Sequence, residues 1–190
     1  MTIEAPIRTR AIDQAVAALA TGRPVVVAGR HEGHLVFAAS AATPALLAFA
    51  VRHTCGFIRV ALTSETCLRL DLPPMHYRGD PAQRVTVDLR GPGTGISASD
   101  RARTIAALAA PDSVADDFSR PGHVVPVQAE AGDRATIAEA AVELVRATGL
   151  PAAAAFSTLV SLDDPTRVAT GKELRHFAAE HGLVLVRQVP

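Results

Sequence analysis

The sequence predicts a single layered domain of the α/β or α+β class, with helices packed on a sheet. Three observations support this. A chain of 190 residues is long enough to bury one full core. Apolar residues make up 48% of it and aromatic residues only 4%, so small side chains such as alanine and valine fill most of the interior. Helical and strand patterns alternate along the chain, without repeats or linkers.

The predicted helices rest on apolar spacing and on terminal residues. Ile12, Val16 and Leu19 keep helical spacing, and the pattern ends at Gly22. Thr43 is suited to cap a helix with proline in its first turn. The expected helices cover 12–19, 43–53, 64–70, 97–108, 137–147 and 172–181.

The predicted strands are short runs of apolar, mostly branched residues between polar turns. The segment 84–89 alternates as a half-buried strand does. The segment 152–156, AAAAF, fits a strand or a helix equally well. The expected strands cover 24–28, 35–39, 58–62, 84–89, 124–127 and 183–189.

Charge and composition argue against several function classes. Nineteen basic residues balance nineteen acidic ones, so no overall field attracts nucleic acid or an anionic membrane. No apolar run reaches the roughly 18 residues that span a bilayer, and the N-terminus lacks a secretory pattern, so we expect a cytoplasmic protein. Cys55 and Cys67 are expected to be reduced thiols, since they form neither a disulfide framework nor a metal spacing.

Two short motifs carry the candidate chemistry. The glycine-rich GTGIS at 93–97 precedes a predicted helix, an arrangement that can place backbone N–H groups and a hydroxyl near an anion, although a tight turn with a serine cap explains it equally. In the run RPGH, Pro121 and Gly122 indicate unusual backbone before His123. A histidine there can move protons near neutral pH, or can simply bond a backbone carbonyl.

These motifs, with others in the same order, resemble the 3,4-dihydroxy-2-butanone 4-phosphate synthase family of riboflavin biosynthesis. The resemblance runs from about residue 10 to 189, and the longest stretches are GTGISASDR (93–101), SVADDFSRPGHVVPV (113–127) and ELRHFAAEHGLVLV (173–186). It implies an α+β sandwich with a mixed sheet over residues 1–190, and a homodimer with active sites near the interface. It also implies a lyase that converts ribulose 5-phosphate to formate and a four-carbon ketone phosphate.

The resemblance also assigns roles to matching residues. His123 matches a histidine that the family requires for catalysis, Thr94 and Ser97 match its sugar-phosphate pocket, and Arg134 matches an arginine that holds the phosphate. An arginine fork suits that task because it gives paired charge-assisted hydrogen bonds.

Several positions depart from the family text. The loop GRHEGH at 29–34 is four residues shorter than the family's, so Arg30 falls at or near the metal-binding glutamate, while Glu32 is kept. The resemblance places His34 at a family aspartate, Arg59 at a family cysteine and Ile137 at a metal-binding histidine. Thr158 lies near the position of a family glutamate. We therefore expect no metal cofactor, because an arginine repels magnesium and isoleucine cannot ligate it.

Three hypotheses follow. The main one is a diverged, metal-independent lyase or isomerase, perhaps of specialised metabolism, that uses His123, Arg30 and Glu32 as catalytic residues on a small anionic or carbonyl substrate. Its other substrate-binding residues would be Thr94, Ser97, Arg134, Arg59, His34 and Thr158. The alternatives are a catalytically silent paralogue that binds a ligand or partner, and a genuine synthase. A new transition-metal site on His31, Glu32 and His34 stays open.

Overall fold

The structure is a computed structural model that describes residues 4–75, 82–129 and 136–187, with side chains from residue 10 onward. Its elements, in chain order, are α1 (Glu4–Ala20), β1 (Val25–Ala28), β2 (Gly33–Ala38), α2 (Pro44–His53), β3 (Arg59–Thr63), α3 (Ser64–Arg69), β4 (Val87–Leu89), α4 (Ala98–Ala109), β5 (Phe118–Ala129), α5 (Ile137–Arg146), β6 (Ala153–Thr158), α6 (Gly171–Glu180) and β7 (Leu185–Arg187).

The strands form one mixed sheet in the order β4-β5-β3-β6-β2-β1-β7. β3 runs parallel to β5, and β1 runs parallel to β7. The remaining neighbours, β4 with β5, β3 with β6, β6 with β2 and β2 with β1, are antiparallel. The mixed-sheet sandwich that the sequence predicts is therefore confirmed.

The sheet is buried on both faces because its strands are apolar in both directions. On β2, Leu35 and Phe37 point into a core shared with α2, α3, α4 and α6. Val36 and Ala38 point the other way, into a core shared with α1 and α5. Alternating side chains thus feed two apolar layers, as expected of a sheet covered by helices on both sides.

The predicted elements are confirmed in type, and the main corrections concern strand length. Thr43 caps α2 by accepting a hydrogen bond from the Leu46 N–H at 3.2 Å, as predicted. The ambiguous segment 152–156 lies in β6. The strand expected over 84–89 is shorter, with only Val87–Leu89 in regular pairing. β5 is longer than expected, because it begins at Phe118 and carries the RPGH run within it.

Polar side chains lie together at one end of the central strands, on the face that α1 and α5 cover. His34 on β2 lies directly opposite Thr158 on β6. Arg59 on β3 lies opposite Phe156 on β6 and Val125 on β5. Since side chains two residues apart share a face, His123 on β5 belongs to the same face as Val125. The neighbouring strands β5, β3, β6 and β2 therefore place polar residues at the same end of the sheet.

Other sequence-level expectations have simple outcomes. Both cysteines are free thiols, Cys55 exposed and Cys67 buried, as predicted. Burial raises the pKa of the Cys67 thiol to about 11. No helix within the described residues is long and apolar enough to cross a membrane.

The close approach of β5 to β4 at Gly122 leaves no space for a side chain. A Cβ there would lie 2.0 Å from the Val87 carbonyl carbon and 2.3 Å from the Asp88 nitrogen, and backbone cannot yield as a side chain can. We expect Gly122→Ala to lower the free energy of unfolding by about 2 kcal/mol or more, measured by urea unfolding. Gly91→Ala is the matched control, because its Cβ would make only ordinary contact, 3.6 Å, with Arg103. Equal stability of the two variants would contradict this packing.

Candidate active site

The centre of the candidate site is a hydrogen-bonded pair, Asp88 on β4 and His123 on β5. The Asp88 Oδ2 lies 2.6 Å from His123 Nδ1, and Asp88 Oδ1 accepts the His123 backbone N–H at 2.9 Å. Asp88 is buried, whereas 41% of the His123 side chain is exposed. One carboxylate therefore fixes both the backbone and the ring of the histidine, and the other ring nitrogen, Nε2, is left for chemistry.

The glycine-rich loop lies against this pair. Gly95 has φ +84°, and a Cβ on it would lie 2.1 Å from Asp88 Oδ2 and 2.8 Å from His123 Nδ1. Only glycine fits both the backbone conformation and the space. The structure thus brings the two predicted motifs, GTGIS and RPGH, into direct contact.

Ser97 and Thr94 have different surroundings in this loop. The Ser97 hydroxyl caps α4, accepting the Asp100 N–H at 3.0 Å and donating to Asp100 Oδ2 at 2.9 Å. Hydrogen bonds from Ser97 and Arg103 lower the pKa of the Asp100 carboxyl. Thr94 is exposed beside Gly95. The serine-cap alternative is therefore correct for Ser97, and its role in binding a substrate stays a prediction.

A second set of polar side chains lies at the same end of the sheet, on β2, β3 and β6. Arg59 Nη2 donates to Thr158 Oγ1 at 3.3 Å, and Thr158 Oγ1 lies 3.3 Å from His34 Nδ1. His34 Nε2 lies 3.3 Å from Glu32 Oε1. One neutral form of His34 satisfies the whole chain, with Nδ1 accepting from the threonine hydroxyl and Nε2–H donating to the glutamate.

The segment 54–57, between α2 and β3, joins these two groups. Its Gly56 carbonyl accepts from Arg101 Nη1 at 3.3 Å, and Arg101 is attracted electrostatically by Asp88. Its Phe57 carbonyl accepts from Ser157 at 3.0 Å, next to Thr158 on β6. The Asp88–His123 pair and the Arg59–Thr158–His34–Glu32 chain therefore border one continuous region.

The remaining predicted residues are less closely gathered. Arg30 and His31 are exposed in the turn between β1 and β2. Arg134 lies outside the described residues. His31, Glu32 and His34 do not form a three-ligand cluster, since the described ranges hold no group of three His, Cys, Asp or Glu side chains able to bind a metal. His34, expected to lie in a solvated turn if it bound no metal, is instead buried.

Sequence reasoning missed Asp88 and Arg101. Asp88 had a usable signal, since it is the acidic residue within the alternating segment 84–89. What the sequence could not supply was the register that places it beside His123. Arg101 is 9% exposed, and its burial at the first turns of α4 was not foreseeable from a charged helix start.

Comparisons with known proteins show the family of the chain. The family model for 3,4-dihydroxy-2-butanone 4-phosphate synthase matches residues 13–188. The chain belongs to the 3,4-dihydroxy-2-butanone 4-phosphate synthase family. The riboflavin biosynthesis protein RibBA of Mycolicibacterium gilvum is 49% identical, over 94% of this chain and 45% of its own length. The chain thus spans about half the length of this relative.

Solved structures of the family have the same fold. A 3,4-dihydroxy-2-butanone 4-phosphate synthase in complex with two magnesium ions has a TM-score of 0.86 and 36% identity, covering 93% of this chain and 92% of that one. A cation-free form of such a synthase has a TM-score of 0.85 and 37% identity, with the same coverage.

These relatives correct the prediction that no metal cofactor is used. That prediction is wrong for the family, because the similar synthase is a complex with two magnesium ions. The described side chains alone do not fit such an ion. Glu32 is the single carboxylate of the loop 29–34, Arg30 is exposed, and Ile137 begins α5. The acidic residues at 130 and 133 lie outside the described residues.

The main hypothesis, a diverged and metal-independent enzyme, is not confirmed by these comparisons, and the alternative of a genuine synthase fits them better. A place in specialised metabolism and a cytoplasmic location stay predictions.

The buried His34 predicts a defined acid sensitivity. Burial, and then the nearby Arg59 guanidinium, lower the pKa of His34 to about 4, from 6.5 in the unfolded chain. Because the unfolded state binds the proton more readily, protonation of this histidine favours unfolding. The free energy of unfolding is therefore highest above pH 6.5 and decreases as pH falls toward 4. The full loss is on the order of 3 kcal/mol. We expect His34→Gln to flatten the dependence of the unfolding free energy between pH 6.5 and 4.5.

The control for this measurement is His176→Gln on α6, whose side chain is 75% exposed. It should leave the acid dependence unchanged. An NMR titration in which the His34 ring protonates above pH 6 would contradict the assignment.

Proposed function

We propose that this protein is a 3,4-dihydroxy-2-butanone 4-phosphate synthase that converts ribulose 5-phosphate to formate and 3,4-dihydroxy-2-butanone 4-phosphate. The observation that carries the proposal is the Asp88–His123 pair in contact with Gly95 of the GTGIS loop. Family membership supports it further. The proposal covers this reaction alone, since the chain matches only about half of its RibBA relatives.

In this proposal His123 moves protons on the sugar. The reaction needs a proton to be removed beside the ketose carbonyl and later returned. The proposal assigns the Nδ1–H form to His123, with this N–H donated to Asp88, so that Nε2 accepts the proton. Asp88 holds the ring in place, because its Oδ2 lies 2.6 Å from Nδ1. Asp88 is thus a positioning residue for the catalytic histidine.

Binding of the substrate is proposed for residues that surround this pair. Thr94 and Ser97 belong to the loop in contact with His123, which supports their assignment to a sugar hydroxyl or phosphate oxygen. Arg134 is proposed to hold the phosphate, and Arg30 and Glu32 are proposed to act from the turn between β1 and β2. Magnesium is proposed as the cofactor because a similar solved synthase is a complex with two magnesium ions.

A homodimer is proposed as the working unit. Two large apolar side chains beside the site support it, since Phe57 is 49% exposed and Ile96 is 52% exposed. Exposed apolar groups next to a site are typical of surfaces that a partner covers. Sedimentation equilibrium should give twice the mass of the chain, and a monomer at micromolar concentration would exclude the dimer.

Turnover is the direct test of the proposed function. Incubation with ribulose 5-phosphate and magnesium should release formate, detected with formate dehydrogenase, and chelation of the metal should stop it. His123→Ala should lower kcat at least about 100-fold, because general acid–base catalysis contributes this much or more. His176→Ala is the control, with an exposed histidine on α6, and should turn over normally. Absence of formate at high enzyme concentration would sink the proposal and favour the silent paralogue.

The positioning role of Asp88 has its own test. Asp88→Asn should lower kcat by about 10-fold to 100-fold, with KM nearly unchanged, because it replaces the carboxylate that holds both the ring and the backbone N–H of His123. Asp112→Asn, at an exposed position, is the matched control. A changed KM with an unchanged kcat would argue for a structural role only.

A further inference from the structure

Arg59 is a partly buried arginine near the candidate site. It lies on β3, opposite Val125, and His123 is two residues earlier on the neighbouring strand β5. From the strand spacing and the rise per residue, the two Cα atoms are roughly 8 Å apart. A ligand of a few atoms therefore spans the distance between the two side chains.

The guanidinium of Arg59 lies near two aromatic rings. Its Cζ lies 4.4 Å from the centroid of Phe156 and 6.0 Å from that of Phe57. Burial lowers the pKa of Arg59, although it stays protonated at neutral pH. The ring of Phe156, directly opposite on β6, compensates part of the cost of taking the cation out of water.

The hydrogen-bonding capacity of Arg59 is mostly unused within the described residues. Among these residues it donates from Nη2 to the Thr158 hydroxyl at 3.3 Å. Its buried Nε has no partner there, as is also true of the Nε atoms of Arg101 and Arg120. No carboxylate of the described residues lies within 4 Å of it. The Glu32 carboxylate attracts it from farther away, but is engaged with His34.

Arg120 shows what a structural arginine looks like in this protein. Its guanidinium donates to four backbone carbonyls, of Leu70, Asp71, Ala115 and Phe118. Those bonds fix the chain around β5. Arg59 makes no comparable set of bonds, so a role in holding the fold does not account for it.

We infer that Arg59 is the anchor of a binding site for a small planar oxyanion, and that its occupant is a carboxylate of the size of formate. Two N–H groups of a guanidinium match the two oxygens of a carboxylate, and such paired charge-assisted bonds are strong. The inference rests on the proposed function, because formate is the product that would be released near His123. It adds to that function a residue that binds the departing product.

The test is binding of sodium formate to the full chain, followed by NMR of the arginine Nε–H resonances and by calorimetry at constant ionic strength. We expect saturable binding in the millimolar range, with the Arg59 resonance shifted. Inorganic phosphate is the second probe, and should shift the Arg59 resonance only at higher concentration than formate does. A shift of this resonance at lower concentration of phosphate than of formate would overturn the carboxylate assignment, and absence of a shift at Arg59 with formate would overturn the site.

Variants separate the site from general charge effects. Arg59→Gln should weaken formate binding at least 10-fold, and Arg59→Lys, which keeps the charge without the fork, should weaken it severalfold. Glu32→Gln should tighten binding severalfold, because it removes the competing negative charge. Arg175→Gln, at an exposed position on α6, is the control and should change nothing. Equal binding by Arg59→Gln and the parent would overturn the inference.

The variant Thr158→Val covers the case in which changes at Arg59 unfold the protein. It removes the acceptor of the Nη2 bond while leaving the guanidinium, so formate binding should persist within about threefold. Formate binding at Arg59 without turnover of ribulose 5-phosphate would support the oxyanion site and refute the proposed function. Turnover without any formate binding at Arg59 would do the reverse.

Discussion

The close contact of three backbone segments around Asp88 is the constraint on which the rest of the site depends. β4 supplies the carboxylate, β5 supplies His123, and the loop before α4 covers both at Gly95. The loop lies so close to the Asp88 and His123 side chains that only glycine fits at position 95. β5 lies so close to the backbone of β4 that only glycine fits at position 122. Because the carboxylate holds both the backbone and the ring of the histidine, a small shift of any segment would move the reacting nitrogen.

The second group of polar residues joins three positions at which the resemblance implies a departure from the family. His34, Arg59 and Thr158 contact one another in a single chain of hydrogen bonds that ends at Glu32. Burial, and then the Arg59 guanidinium, lower the pKa of His34, so this histidine stays neutral within the chain of hydrogen bonds. These replacements therefore form one physical unit.

The prediction of no metal cofactor is the main error of the sequence analysis. Arg30 and Ile137 are poor magnesium ligands, and we drew from them the absence of any metal cofactor. A similar synthase of the same fold holds two magnesium ions, so that conclusion does not stand for the family. The error came from testing two positions of an aligned motif, whereas an ion is bound by whatever oxygen atoms the folded chain brings together.

The sequence by itself determined the type of nearly every element and the family. The signals were local ones, namely apolar periodicity, the Thr43 cap and the motifs GTGISASDR and RPGHVVPV. Local signals can be recognised in a single sequence. Tertiary structure decided the extent of β5, the strand character of 152–156, the burial of His34 and the pairing of Asp88 with His123. Each of these depends on register between strands that are distant in sequence, and a shift of one residue would turn every side chain to the other face.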